Sequence, residues 1–343
     1  MADLILNGRF LSRPPTGVDR VAAELTAALM ARGLPGRFGA LRVSRPGRYP
    51  LPGQIWEQTA LARRDPRDWL LSLCNIGPVL RARQVVMLHD AQAFLQPGSY
   101  TPAFRAWYHL ALPRLARRAA MVLTVSRHAR AELEACGIVP PGKARVVPNG
   151  GDHILRVPPD PGTLRHRGLR PQGYILAIGS LAPHKNLATL IAAARARTRP
   201  SLPLVIAGGG DLSVFRDHGI TPAPDVRLLG RVSDGELRAL YDNALALAFP
   251  SRAEGFGLPP LEAMFCGCPV IATTAGAVPW ICGDAALPVA PDNVCGWRAA
   301  MERVAGDPAL RARMRAQGYA RAARFTWAAA ADRLAGCLEG LPD

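Results

Sequence analysis

Short apolar runs of three to five residues recur along this chain, and Ala-, Leu- and Arg-rich stretches with helical spacing lie between them. A run that short and that apolar reads as a strand buried on both faces. Buried strands separated by helix-length segments make a parallel sheet with crossover helices. In the first half the runs fall at residues 4–6, 85–88, 121–125 and 145–147, with helices expected at about 18–31, closed by Gly33, and at 102–117. In the second half they fall at 174–178, 204–207, 226–228, 245–249 and 270–272. At 343 residues the chain exceeds one ordinary core and suits two domains of about 150 residues each. The spacing therefore predicts an α/β chain of two doubly wound, Rossmann-like units. Proline and glycine concentrate at 156–173, where periodicity lapses, so the expected units are 1–165 and 170–325, followed by a terminal helix at 326–343 with Trp327, Leu334 and Leu338 toward a core.

Charge separates the halves. Residues 1–150 carry 21 Arg/Lys against 9 Asp/Glu, whereas 151–343 carry 21 against 17, so most of the net +16 lies in the first half. Such a surface suits an anionic membrane or an acidic acceptor. Nucleic acid is set aside, because no helix-turn-helix, zinc-finger or RNA-recognition signature accompanies the arginines. The seven cysteines form no CxxC pair, and Cys266 and Cys268 flank a single glycine with no histidine at zinc-ligand spacing, so they read as reduced thiols. The apolar run Leu4, Ile5, Leu6 is too short for a signal-peptide core, and no stretch approaches 18 uninterrupted apolar residues. The expected location is cytoplasmic, or peripheral on the inner face of a membrane.

Ligand sites in doubly wound sheets lie beyond the carboxyl ends of the strands. The segment PSRAEGFGLPPLEAMFCG, residues 250–267, begins at such an end. A glycine-rich loop leads into a helix expected to start near Pro259 or Pro260 and to end at Gly267, the asymmetry that helix termini prefer. The amides of Phe256, Gly257 and Leu258 would then point into the crevice, where the helix dipole adds positive potential and phosphate binds. Glu254 and Glu262 stand on either side of the loop. Either they bracket a ligand, or Glu262 complements the helix dipole and Glu254 is a solvated loop residue.

This segment resembles glycosyltransferase family 4, the retaining transferases with an E-x7-E signature, and the resemblance extends over most of the chain, including EAMFCGCPVIATTAGAVPWICGDAALPV. It implies the GT-B fold, two Rossmann-like domains facing each other across a cleft, with the donor held by the C-terminal domain and the terminal helix returning to the N-terminal one. It further implies that Glu262 hydrogen-bonds the ribose diol, Glu254 the donor sugar's hydroxyls, and the intervening amides the diphosphate. In YILAIGSLAPHKN, residues 174–186, Lys185 matches the lysine that neutralises the departing diphosphate. Ser180 and His184 stand where the family often has an arginine. Lys185 is one of only two lysines against forty arginines, Lys143 being the other.

In VVMLHDAQAFL, residues 85–95, His89 matches a family histidine that contacts the donor sugar from the cleft; otherwise it caps its strand. Asp90 orients that histidine or caps a turn. Gly17, in RPPTGVDRVA, matches the glycine loop near the acceptor site, and Arg231 and Val232 in GRVSDGELRALY match the segment that meets the base. VPNGGDH at 147–153 is a third weak signal, and each of these three segments otherwise reads as ordinary turn chemistry. The expected catalytic residues are His89, Lys185 and Glu254. No Asp-x-Asp occurs, so no metal and no cofactor are expected. The reading is hexosyl transfer with retention from a nucleoside diphosphate sugar, GDP-mannose before UDP- or dTDP-sugars, to a glycan or lipid-linked glycan in cell-surface polysaccharide or lipopolysaccharide synthesis. Alternatives are a nucleotide-sugar epimerase of the same fold and a non-catalytic subunit that docks on a membrane.

Overall fold

The computed structural model describes residues 2–12, 16–46, 53–180, 182–197, 202–208 and 225–342. The chain divides into two compact units, Met1–Gly150 with Trp327–Asp343, and Gly151–Thr326. Each unit is built on a six-stranded sheet, and every adjacent strand pair is parallel.

The first sheet contains β1 (Ala2–Asn7), β2 (Phe38–Ser44), β3 (Trp69–Ser72), β4 (Gln84–Leu88), β5 (Met121–Thr124) and β6 (Ala144–Val146), in the order β2-β1-β3-β4-β5-β6. Every residue of β4 is buried, as the continuous apolar run requires. β2 and β3 were not expected. β2 is an edge strand interrupted by glycine and arginine, with mixed exposure, and WLLS has none of the β-branched residues that mark a strand. The helix Gly17–Arg32 starts at a capping box: the Thr16 amide donates to Asp19 Oδ2 at 2.9 Å, and Thr16 Oγ1 accepts from the Asp19 amide at 3.4 Å. Against it packs the terminal helix Trp327–Glu339, which buries Trp327, Leu334 and Leu338. Arg32 Nε donates to Asp332 at 2.7 Å, and Arg37 donates to the carbonyl oxygens of Glu339 at 3.1 Å and Pro342 at 2.7 Å.

The second sheet contains β7 (Ile175–Ile178), β8 (Leu204–Ala207), β9 (Val226–Gly230), β10 (Ala246–Phe249), β11 (Val270–Thr273) and β12 (Ala286–Val289), in the order β12-β11-β10-β7-β8-β9. β12, a proline-bearing edge strand, was also not expected. Side chains from β7, β8, β10 and β11 meet the helices Leu187–Arg195 and Val294–Gly306 in one core.

The second unit begins at Gly151, ahead of the proline-rich stretch. The turn Asp152–Arg156 packs on the helix Leu258–Phe265, and residues 151–165, expected in the first unit, group with the second. Among the described residues no helix is long and apolar enough to cross a membrane.

Both sheets reverse direction once. In the first, the chain runs outward from β1 to β2 and returns to build β3 through β6 on the other side, so the reversal lies between β1 and β3. In the second it lies between β7 and β10, which pair at Ala246 and Ile175. At such a point the connections leave in opposite directions and open a crevice at the strand ends.

Candidate functional site

Lys185 follows β7 and Glu254 follows β10, so the reversal of the second sheet brings together residues far apart in the chain. Lys185 Nζ donates to Glu254 Oε1 at 2.6 Å. The two side chains are 25% and 12% exposed, which shields the pair enough to raise its Coulomb attraction above that of a surface salt bridge. Lys185 ends a 3-10 turn, Pro183–Lys185, fixed by two straps. The His184 carbonyl accepts from the Arg252 amide at 2.7 Å and the Ser251 hydroxyl at 3.1 Å. Asn186, buried and left-handed at φ 56°, donates its side-chain amide to the carbonyls of Pro250 at 3.2 Å and Pro291 at 2.7 Å. A short polar side chain that tolerates positive φ suits that position.

Beyond Glu254 the chain turns at Gly257, φ 109°, into the helix Leu258–Phe265. The helix starts earlier than expected, at Leu258. Pro259 and Pro260 carry no N–H, so the donors at this helix end are the amide of Leu258 and those of the preceding loop. Phe256 is buried and meets the rings of Trp280 and Phe325 edge-on, with centroids 6.5 and 6.2 Å away. Behind Glu254 stands Gly276, φ 65°. A Cβ there would lie 2.8 Å from the Glu254 amide nitrogen, and the neighbouring Ala277 amide donates to the Glu254 carbonyl at 3.0 Å. The backbone of Glu254 is held from below by a glycine that admits it.

Glu262 lies one turn into the same helix and is buried. Tyr241 donates its hydroxyl to Glu262 Oε2 at 2.9 Å, and His153 Nε2 lies 3.1 Å from Oε1. Burial and the adjacent carboxylate hold the Tyr241 phenol far above its ordinary pKa, so it remains a donor. His184, beside Lys185, is also buried. Desolvation first, then the Lys185 charge, lower its pKa despite the opposing Glu254 carboxylate, which favours a neutral ring. Ser180 is exposed after β7, and its hydroxyl accepts from the Ala182 amide at 3.4 Å. Exposed Arg231 and half-buried Val232 follow the left-handed Gly230 at the end of β9. Thus Lys185 and Glu254 touch, the 256–258 amides adjoin Glu254 in sequence, and Glu262 faces a polar cluster. Asn186, Gly276, Tyr241 and His153 were not anticipated. VPNGGDH held the only sequence hint of His153.

In the first unit His89 directly follows β4 in a buried position. Its Nε2 donates to the Leu73 carbonyl at 2.8 Å, and its amide donates to the Asn75 side chain at 2.7 Å. The carbonyl can only accept, so Nε2 carries the proton and Nδ1 is the acceptor. Burial lowers the His89 pKa to about 4, with Leu73 and Asp19 opposing the shift. Asp90 Oδ1 accepts from the Gln92 amide at 2.9 Å and caps the turn. At the reversal between β1 and β3 lies a cavity of about 370 Å³ lined by Asn7, Arg9, Glu57, Asp90, Tyr108 and others, including Thr16 and Val18 on either side of Gly17. Glu57 is buried, accepting from Arg9 at 2.5 Å and from Asn7 at 2.8 Å. Phe94, Tyr100, Phe104 and Tyr108, which also line this cavity, were not anticipated.

All seven cysteines are free. Cys268 and Cys282 are buried with pKa values pushed up to about 12, while Cys295 is exposed. Among the described residues no group of three or more His, Cys, Asp or Glu side chains is arranged to hold a metal ion.

Residues 167–321 match the family described as Glycosyl transferases group 1, and residues 64–153 match Glycosyltransferase Family 4. The chain is 34% identical to O-antigen chain mannosyltransferase B of Escherichia coli, over 78% of this chain and 73% of that protein. It is 28% identical to the O-antigen chain mannosyltransferase RfbU of Salmonella typhimurium, over 66% of this chain and 62% of the relative. Anabaena HepE, solved with UDP and glucose, superposes with a TM-score of 0.74 at 19% identity, over 99% of this chain and all of that one. This likeness shows the fold.

Proposed function

The chain belongs to glycosyltransferase family 4 and is a hexosyltransferase of the GT-B fold, and we propose that it moves a mannosyl group from GDP-mannose to a glycan hydroxyl with retention of configuration. The observation that carries the reading is the contact of Lys185 with Glu254 at the sheet reversal, beside the start of the helix Leu258–Phe265. Charge develops on the departing diphosphate, and a preorganised ammonium and backbone amides stabilise charge where it develops. The diphosphate would compete with Glu254 for Lys185, releasing the Glu254 carboxylate toward the sugar hydroxyls. Glu262, oriented by Tyr241 and His153, would accept from the ribose diol. His89 is neutral at working pH and presents its Nδ1 as acceptor. The names of the two mannosyltransferase relatives support mannose, while a bound UDP in HepE keeps uridine donors in the comparison.

Labelled GDP-mannose, UDP-glucose and dTDP-glucose should be offered with a mannose-terminated oligosaccharide, with and without EDTA. Transfer from GDP-mannose at an undiminished rate in EDTA is expected. Equal use of UDP-glucose would overturn the donor, and loss of transfer in EDTA would overturn the metal-free reading.

Docking of the basic half on an anionic membrane belongs to the same proposal. Of the arginines in the basic half, Arg13 and Arg48 lie outside the described residues. Arg42 and Arg67 pair with Asp3 and Asp65, Arg9 with Glu57, and Arg37 caps the C-terminal carbonyls. The surface charge available to lipid is therefore smaller than a residue count implies. Each basic residue at the surface is worth about 1 kcal/mol, so co-sedimentation with phosphatidylserine vesicles should appear at low salt and vanish near 1 M salt. No binding at low salt, or binding that ignores salt, would remove this element.

A further inference from the structure

The loop after β11, which admits the Glu254 backbone at Gly276, leads into a helix of only five residues, Val278–Cys282. A helix so short is marginal by itself, and Pro279 in its first turn has no amide to donate. Its place is set from outside. Arg321, on the helix Pro308–Ala322, reaches its carbonyl end: Nε donates to the Ile281 carbonyl at 2.8 Å and Nη2 donates to that of Trp280. A last helical turn leaves its carbonyls without intrahelical donors, and a planar guanidinium can serve two of them at once. The same guanidinium lies over the Phe325 ring, 5.2 Å from its centroid.

The helix held in this way touches the segment from Glu254 to Leu258 three times. The Ala277 amide, just before the helix, donates to the Glu254 carbonyl at 3.0 Å. Val278 Cγ2 lies 3.3 Å from where a Cβ on Gly257 would stand. The Trp280 ring meets Phe256 edge-on, and Phe325 closes the aromatic group at 5.6 Å from Trp280. A shift of this helix is therefore passed to Glu254, Phe256 and Gly257 together. The 2.6 Å contact of Glu254 with Lys185 leaves little room for one. Arg315, on the same long helix as Arg321, donates its Nε to the Gly267 carbonyl at 2.8 Å, beyond the far end of the helix Leu258–Phe265. It makes the same kind of bond at a place remote from Glu254.

We propose that Arg321 is a positioning residue for the transfer: by holding the helix Val278–Cys282 it sets the Glu254 carboxylate against Lys185. The inference rests on the transferase reading and adds to it a residue that touches neither the donor nor Glu254.

Turnover of GDP-mannose onto the mannose-terminated oligosaccharide, calorimetry with GDP and thermal unfolding would be compared in Arg321→Ala and in Arg321→Met, which keeps the apolar stem. Each should lower kcat about tenfold with GDP affinity within about threefold, the split expected when an interaction is made mainly in the transition state. In the Glu254→Ala background the same change should cost less than about twofold, because residues that act through one another are not additive. Arg315→Ala is the control for a lost carbonyl partner: its unfolding temperature should fall while kcat stays within about twofold of wild type. An undiminished kcat, a full loss in the Glu254→Ala background, or an equal loss in Arg315→Ala would each overturn the assignment. So would failure of both Arg321 variants to fold, which would make the arginine a support of the whole unit.

Hydrogen exchange reads the coupling without turnover. The amides of Ala277, Phe256, Gly257 and Leu258 should exchange about tenfold faster in Arg321→Met, while those at the end of the helix Leu258–Phe265 stay near wild type. If that pattern appears but the wild-type chain never consumes a donor, the transferase reading fails and the coupling stands. If the wild type transfers mannose and neither exchange nor kcat responds, Arg321 is wrongly assigned and the transferase stands.

Discussion

Glu254 and Glu262 carry the same carboxylate in different surroundings, and the difference predicts how each fails. Glu262 is buried with both oxygens near protein groups, one accepting from Tyr241 at 2.9 Å and one 3.1 Å from His153. Glu262→Ala should cost donor and free GDP alike, by roughly 10- to 100-fold for charge-assisted bonds worth about 1.5–3 kcal/mol. It should also lower stability by about 1–3 kcal/mol, because Tyr241 loses its buried acceptor. Glu254→Ala should leave GDP affinity within about threefold and lower kcat, as expected for a group whose contact is made mainly in the transition state. Calorimetry with GDP and steady-state kinetics distinguish them; GDP binding lost in Glu254→Ala but kept in Glu262→Ala would reverse the donor's orientation. His89 adds a pH dependence. Its folded pKa, about 4, lies below the ordinary 6.5, so the unfolded chain takes the proton first as pH falls. Its contribution is complete above pH 6.5 and lost on descent toward 4, and a shift of that size corresponds to roughly 3 kcal/mol. Wild type should lose that much more stability than His89→Asn between pH 7 and pH 4 in urea titrations; parallel curves would show that the imidazole is not buried neutral.

At the scale of elements, the segment from β10 into the helix Leu258–Phe265 depends on the loop after β11. Gly276 sits at φ 65° with Glu254 backbone atoms within 3 Å of any added Cβ, at 2.8 and 2.9 Å. Gly276→Ala therefore combines backbone strain of about 1–3 kcal/mol with a clash that has no flexible side chain to absorb it. It should reduce kcat/KM at least tenfold, about 1.4 kcal/mol in barrier, by shifting Glu254 off Lys185. Wild-type kcat/KM in Gly276→Ala would mean the loop relaxes freely. This dependence also shows what a sequence can carry. The strand, glycine loop, proline start and both carboxylates of 245–267 are contiguous, so local chemistry reveals them. The Glu262 cluster draws Tyr241 from another helix and His153 from the Asp152–Arg156 turn, and only the tertiary fold makes them neighbours. The same holds for Asn186, whose partners come from the ends of two other segments. Tyr100, Phe104 and Tyr108 have helical spacing that reads as ordinary packing until the cavity beside them is seen. β2, β3 and β12 were hidden because edge position or leucine-rich composition erased the β-branched alternation that marks a strand.

At the scale of the whole molecule, the chain completes its first unit with residues that follow the second. The helix Trp327–Glu339 places Trp327, Leu334 and Leu338 at 2%, 0% and 0% exposure against the helix Gly17–Arg32, so the first unit is unfinished until this helix has been made, after the whole of the second. Burying three such side chains is worth about 5–9 kcal/mol, at roughly 1.5–3 kcal/mol each. That is comparable to the entire stability of a domain, about 5–15 kcal/mol. Ending the chain after Thr326 should therefore unfold the first unit, while the second, whose core cluster uses none of these residues, still binds GDP. Calorimetry would then show GDP affinity near wild type beside complete loss of transfer. Leu334→Ala is the milder version, expected to cost about 2–5 kcal/mol and to lower the unfolding temperature of the first unit alone. If GDP binding falls in step with that transition in Leu334→Ala, the helix supports both units and the division at Thr326 does not describe how the molecule unfolds.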